Sequence, residues 1–301
     1  VALANSGFYA CAYDQRGHGD TASAASSRRH ISPGNAWSLL VHDARAVLLE
    51  VWNEAVTSVD SSSSTSVPAF VPTFVIGHSM GSLVVRDLLA SFASEVEDSG
   101  SSSSVPPLGQ LSAPCGAVLL GTAGPGGAKV AAGKLMAAVL AAWSSPTAPS
   151  KLLDKLTFGS YNAAFKPSRT DFDWLSRSRT EVQRYIDDPY CGEVMSTHFF
   201  RELARGTMRV SSGTVFASTP HSTALLLVSG TEDPVGDSGA GVRFVAERYR
   251  LAGHPAVELR LYEGARHELL HETNHSEVTE DVVRWIKDRA SSCQKARHIQ
   301  E

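Results

Sequence analysis

The chain has 301 residues, 43% of them apolar and 19% charged, with a formal net charge of −4. These are the values of a globular chain long enough to bury a substantial core, as one large domain or one domain with an insertion; they exclude a disordered chain and give no basic surface for nucleic acid. No apolar run reaches the roughly 18 residues of a membrane span, since the nearest, Ala131 to Trp143, is interrupted by Lys134.

Four cysteines (Cys11, Cys115, Cys191 and Cys293) are widely spaced, with no C-x-x-C pair. Cys11 and Cys115 lie in or beside apolar runs, so buried free thiols and a reducing, cytosolic setting are the expectation. The chain opens without Met and without a signal-peptide pattern, and Val1 to Gly7 reads as the last turn of a helix closed by glycine. Phe8 to Tyr13 then predicts a short buried strand, followed by the glycine-punctuated loop Asp14-Gln-Arg-Gly-His-Gly19.

Ser32, Pro33 and Asn35 mark a helix start, and Trp37, Leu40, Val41, Ala44, Val47, Leu48 and Val51 fall on one face behind it. A serine-rich insert, Thr57 to Pro72, separates that helix from the apolar run Phe74-Val-Ile76. Gly77-His-Ser-Met-Gly81 comes next, and past it Leu83, Val84, Val85, Leu88, Leu89 and Phe92 repeat at helical spacing. Strand, G-x-S-x-G and helix in that order predict a nucleophile elbow, with Ser79 exposed at the positive end of the following helix. Gly77 and Gly81 are expected to lack side chains so that neighbouring backbone can come close.

A second serine-rich insert, Ser94 to Ser112, precedes the buried run Ala117 to Leu120. Strand and helix alternate, which predicts a doubly wound, mostly parallel sheet; both inserts run from helix to strand and so lie away from the strands' carboxyl ends. Between Pro125 and Pro220 the alternation stops. Lys129 to Trp143, Glu181 to Ile186 and Ser196 to Leu203 look helical, joined by stretches rich in aromatic residues. The expected organisation is an α/β core over 1–122 and 221–301, with a helical cap over 123–220 above the active-site edge. The core resumes with strand Ala224 to Ser229, helix Val242 to Leu251, an edge strand carrying Val257, Leu259 and Leu261, and a last helix with Val278, Val282, Trp285 and Ile286.

A serine needs a base, and an imidazole base needs a carboxylate to hold it. Asp233 follows the Ala224–Ser229 strand and His267 follows the Val257–Tyr262 strand. Both stand where the order Ser, Asp, His requires them. Glu232 and Asp237 are rival acids and His18 a rival base; His78 is expected to pack at the elbow, and His271 and His275 to be surface or helix-start residues. His267-Glu-Leu-Leu-His271 also matches the H-E-x-x-H pattern of zinc hydrolases. That chemistry needs both histidines on one face of a continuous helix and a third ligand, whereas here the first histidine follows a strand through Glu263-Gly264.

Taken together, Asp14 to Gly19, Gly77 to Gly81, Asp233-Pro-Val-Gly236 and Gly264-Ala-Arg-His-Glu-Leu-Leu270 resemble α/β-hydrolases of the monoacylglycerol lipase and lysophospholipase-like group, also labelled serine aminopeptidase-like. Phe158-Gly-Ser-Tyr-Asn162, Phe172-Asp-Trp-Leu175 and Asp188-Pro-Tyr-Cys191 are similar to cap segments of that group. The resemblance implies an α/β-hydrolase fold with Ser79 as nucleophile, Asp233 as acid, His267 as base, the Met80 N–H as oxyanion donor, and a lid. It implies a small-molecule lipid ester as substrate, no cofactor, and a cytoplasmic enzyme peripheral to membranes that meets them through its cap. Aminopeptidase-type amide hydrolysis and a non-catalytic binding protein of the same fold are the alternatives. The family carries earlier strands, one ending in a His-Gly loop that supplies a second oxyanion N–H. The expectation is therefore an N-terminally incomplete chain that, as it stands, folds weakly and turns over little.

Overall fold

Each sheet strand in this protein is a short apolar run ended by glycine or a polar turn, and the parallel pairing follows from the helices between them. The computed structural model describes residues 1–22, 30–31, 34–60, 71–94, 111–125, 145 and 147–298. In chain order these form α1 (Ala2–Asn5), α2 (Ala36–Asp60), β1 (Phe74–His78), α3 (Met80–Ser94), β2 (Gly116–Leu120), α4 (Lys151–Tyr161), α5 (Arg179–Asp187), α6 (Thr197–Val210), α7 (Gly213–Ser218), β3 (Ala224–Gly230), α8 (Ala240–Leu251), β4 (Val257–Tyr262) and α9 (His275–His298). Short 3-10 turns lie at Gly19–Thr21, Asn162–Phe165 and Leu269–His271.

Among the described residues the sheet has four strands in the order β1-β2-β3-β4, all parallel. Gly77, Leu119, Leu227 and Leu259 share one register row, so the carboxyl ends of the strands reach a common edge. Alternate residues face opposite sides, as the pleat dictates. Val118, Leu120, Leu226 and Val228 pack against Val282, Trp285 and Ile286 of α9. Ala117, Leu119, Leu225 and Leu227 face Val85 and Leu89 of α3, Val245 and Tyr249 of α8, and Phe216 of α7. Both faces are thus covered, and β2 and β3 are buried along their whole length.

The predicted face of α2 is the buried one: Trp37, Leu40, Ala44 and Leu48 join Leu83, Leu88, Phe199 and Phe200 in a further cluster linking α2, α3 and α6. Its anchor is polar. The Trp37 indole N–H donates to Asp87 Oδ2 at 2.7 Å, and Arg209 Nε donates to the same carboxylate at 2.7 Å. The last predicted helix, the edge position of the last strand and the two expected cap helices around 181–186 and 196–203 are all present; α4 and α7 are additional. The Lys129–Trp143 helix, Ser32 and Pro33, and most of both serine-rich inserts lie outside the described residues.

Two expectations are corrected. Phe8 to Tyr13 forms no strand, and its Tyr9, Cys11 and Tyr13 side chains are exposed. The run has the composition of a strand, yet among the described residues no ladder accepts it; Phe8 alone packs against the cluster under α9, and the Tyr9 hydroxyl donates to Glu54 at 2.6 Å. Cys115 is not a free thiol but is disulfide-bonded to Cys293, with Cα atoms 6.2 Å apart and a sequence separation of 178. The cause is the covering of the sheet by α9, which brings the distal part of that helix alongside the residue leading into β2. Disulfides form and persist in oxidising compartments, so the case for a reducing setting falls at this pair. No described helix is long and apolar enough to cross a membrane.

The bridge closes a loop spanning more than half the chain, which constrains the unfolded state strongly. Cys293→Ser is expected to destabilise the protein by about 2–4 kcal/mol, read as a lower denaturation midpoint in non-reducing urea. An unchanged midpoint would mean that the bridge does not form in solution.

Candidate active site

The site is built at the carboxyl edge of the sheet, where β1, β2, β3 and β4 each deliver a loop. After β1 the chain turns through Ser79, whose φ of 51° is one of the few positive values at a non-glycine residue. An L-residue in this region is strained by about 1–2 kcal/mol, and neighbouring bonds hold it there. The Ser79 N–H donates to the Leu120 carbonyl at 2.9 Å, and the Ser82 hydroxyl and N–H both donate to the Ser79 carbonyl. Gly77 is required by this turn, because a Cβ there would lie 2.5 Å from the Gly81 carbonyl oxygen. Gly81 differs from expectation: its nearest neighbour on the side-chain direction is Gln15, not backbone. Met80 opens α3, so its N–H has no acceptor within the helix and points out of the helix's positive end.

Asp233 lies past β3 and is fully buried. Its Oδ1 accepts the Val235 N–H at 2.9 Å and its Oδ2 the Ser229 hydroxyl at 3.3 Å. His267 lies past β4, is 2% exposed, and places Nδ1 3.0 Å from Asp233 Oδ1. The fold thus brings Asp233 and His267, from the loops after β3 and β4, into hydrogen-bond contact.

The histidine loop is held from several sides. Its N–H groups at His267 and Glu268 donate to the carbonyls of Trp174 and Leu175, at 3.5 and 2.7 Å. The buried Glu272 carboxylate accepts from the N–H groups of Arg177, Arg266 and Thr273 and from Arg177 Nε, at 2.8–3.0 Å. Gly121, just past β2, forms the floor. Its φ is 55°, and a Cβ there would lie 3.0 Å from His267 Cε1 and 3.4 Å from His78 Nε2. Since the preceding residue, Leu120, accepts the Ser79 N–H, the elbow and the histidine ring meet across the end of β2.

Above the ring stands an aromatic wall. The Trp174 ring is 5.2 Å from that of His267 and 5.1 Å from that of Tyr161, and Phe158 lies against Trp174, Tyr161 and Phe200. Sequence reasoning grouped Trp174 and Phe158 with the cap but assigned them no place at the site. Gly121 and Glu272 it missed altogether, because their roles depend on contacts between distant loops. The Gly121-Thr-Ala-Gly124 strand end was the one local signal for Gly121.

The rivals are elsewhere. Glu232 is half exposed and lies 3.9 Å from Arg266; Asp237 sits in the turn that precedes α8, with φ 53°. His18 faces Phe199, with its Nδ1 3.2 Å from the Arg16 carbonyl. His275 begins α9, and His271 is exposed on a 3-10 turn, 3.3 Å from Glu268. The H-E-x-x-H stretch is therefore not one helix, and its first histidine is engaged by Asp233. Among the described residues no three metal-ligating side chains cluster.

Burial pushes the His267 imidazole down, but the charge and hydrogen bond of Asp233 outweigh it and leave its pKa above the ordinary 6.5. Burial likewise pushes Asp233 up, while His267 and the Val235 N–H hold it below the usual carboxylate value. Tyr161, buried beside Asp233, is raised to about 12 and stays neutral.

Residues 1–274 match the family described as serine aminopeptidase, S33. Among solved structures, a lipase in an open form is similar at 26% identity, covering 92% of this chain and 80% of its own, with a TM-score of 0.70. A thermostable carboxyl esterase from Bacillus coagulans shares 20% identity over 92% and 79% of the two chains, with a TM-score of 0.72. A monoglyceride lipase from Saccharomyces cerevisiae, solved with a substrate analogue, shares 17% identity over 92% and 76%, with a TM-score of 0.59. The latter two likenesses speak to the α/β-hydrolase fold. No curated protein sequence matches the chain.

Because Asp233 is the main group lifting His267 against burial, with Glu268 adding to it, Asp233→Asn is expected to lower the His267 pKa. Titrating the ring by NMR in both proteins tests this; a pKa unmoved by the substitution would separate the two residues electrostatically.

Proposed function

Given that the chain belongs to the serine aminopeptidase S33 family of α/β-hydrolases, we propose that it is a serine hydrolase of carboxylic esters, acting through an acyl-enzyme. The observation that carries this is the buried His267–Asp233 pair, 3.0 Å apart, beside a strained serine turn. His267 holds Nδ1–H toward Asp233, which leaves Nε2 free to accept a proton. In the proposed sequence Nε2 takes the Ser79 hydroxyl proton as Oγ attacks the ester carbonyl. The Met80 N–H holds the negative oxygen of the tetrahedral intermediate, one oxyanion donor being worth about two to three powers of ten in turnover. His267 then gives its proton to the departing alcohol. Water attacks the acyl-serine with His267 again as base, and the free acid leaves with Ser79 restored. No step calls on a cofactor.

The substrate class we propose is a lipid-like ester such as a monoacylglycerol or lysophospholipid. An aromatic wall of Trp174, Tyr161, Phe158 and Phe200 suits an aliphatic acyl chain, and the lipase at 26% identity is similar in this fold. Residues 123–220 act as the lid in this scheme, and exposed Leu152, Leu156 and Tyr190 are where it would meet a lipid surface. The family's description as an aminopeptidase favours a second class, an amide with the same acyl-transfer chemistry.

Ser79→Ala is expected to lower ester turnover by about four or more powers of ten while leaving the fold intact. Matched ester and amide substrates over a range of acyl lengths separate the two classes: the ester with a long chain should have the highest kcat/KM. Since His267 must be unprotonated to act and its pKa is raised, kcat/KM should fall with acid through a midpoint above 6.5. Residual wild-type turnover in Ser79→Ala would remove the serine from the mechanism.

A further inference from the structure

The elbow histidine, His78, has no part in the acyl-transfer steps, and the His267-Glu-Leu-Leu-His271 stretch is only half used by them. The two meet. His78 Nε2 lies 3.2 Å from the backbone carbonyl of His267, and its ring centroid is 4.7 Å from the His267 ring. On its other side Nδ1 is 3.8 Å from Glu268 Oε1, and Glu268 Oε2 is 3.3 Å from His271 Nδ1. Both imidazoles stand on Gly121, whose missing Cβ leaves the room they occupy.

We propose that His78 is a positioning residue, tying the serine elbow to the histidine loop by donating Nε2–H to the carbonyl of His267. This rests on Ser79 and His267 being nucleophile and base. His78 is the chain neighbour of Ser79, and its hydrogen bond ends on the backbone of His267 itself. One peptide link and one hydrogen bond therefore join the two residues, a far shorter path than the sheet between β1 and β4. Their separation must be kept to a few tenths of an ångström for proton transfer, because a displacement of about 1 Å can cost about a hundredfold in rate.

The charged groups facing His78 are Glu268, His267 and Asp233. Burial pushes His78 below its ordinary value, so the neutral ring with its proton on Nε2 is the form that makes this bond. A neutral ring also spares His267 a like charge at close range when it becomes imidazolium. Glu268 is kept ionised: burial opposes it, but the histidines around it bring it down to about 2. It lies on the Nδ1 side, away from the bond that does the positioning.

The test compares His78→Ala, His78→Gln and His78→Asn with the wild-type chain, using an ester substrate that Ser79→Ala fails to turn over. A glutamine amide can place an N–H near Nε2, whereas asparagine reaches only toward Nδ1. His78→Ala should lower kcat about tenfold or more with KM within twofold, His78→Gln should recover most of the loss, and His78→Asn should not. Thermal melting of all three verifies that each is folded. Should the alanine variant fail to fold, the glutamine and asparagine pair carries the comparison alone. Equal turnover in those two, or a loss confined to KM, would overturn the positioning role. Turnover persisting in Ser79→Ala would instead overturn the proposed function, so the two failures are distinguishable.

Discussion

An ionised carboxylate with no exposed surface needs a partner, and in this protein the partner is an imidazole that is itself almost fully enclosed. Leaving a charge such as Asp233 unpaired inside a protein costs several kcal/mol. The Val235 N–H, the Ser229 hydroxyl and His267 together offset that cost. The consequence runs in both directions, since the carboxylate fixes the imidazole's orientation and raises its basicity while the imidazole keeps the carboxylate ionised. Much of the surrounding structure exists to deliver these two groups to one point: parallel register that ends β3 and β4 at a common edge, and loops short enough to leave no slack.

The serine turn obeys a similar economy. Ser79 is held at φ 51° by the Leu120 carbonyl on one side and by Ser82 on the other, so β2 both supports the elbow and, through Gly121, makes room for the histidine. Glu272 plays the corresponding part for the histidine loop, gathering N–H donors from Arg177, Arg266 and Thr273 into one buried carboxylate. Arg177 belongs to the long stretch between β2 and β3, so that stretch also helps to hold the histidine loop. Trp174 and Leu175 do the same through their carbonyls.

What was legible in the sequence was what is local. Gly77 to Gly81 announces a tight turn between strand and helix, and Asp233 and His267 each follow an apolar run directly. Those features need no knowledge of the rest of the chain. Cys115 and Cys293 could not be paired from spacing because their approach depends on α9 packing across the sheet, a contact between parts of the chain 178 positions apart. Phe8 to Tyr13 failed for the complementary reason: aromatic and apolar composition makes a strand only where a neighbour offers hydrogen bonds. Trp174, Gly121 and Glu272 were illegible as site residues because their contacts join loops that are distant in the chain. The H-E-x-x-H pattern shows the same limit from the other side, since a five-residue match carries no information on whether its helix exists.

The central claim is that Ser79 is the group that becomes covalently bonded, activated by the His267–Asp233 pair. Labelling the folded protein with a fluorophosphonate and mapping the adduct by peptide mass spectrometry tests it most directly. A single adduct is expected on the peptide containing Gly77 to Gly81, formed much more slowly in Asp233→Asn and His267→Ala. An adduct on another residue, or labelling of Ser79 at the same rate in all three proteins, would contradict it.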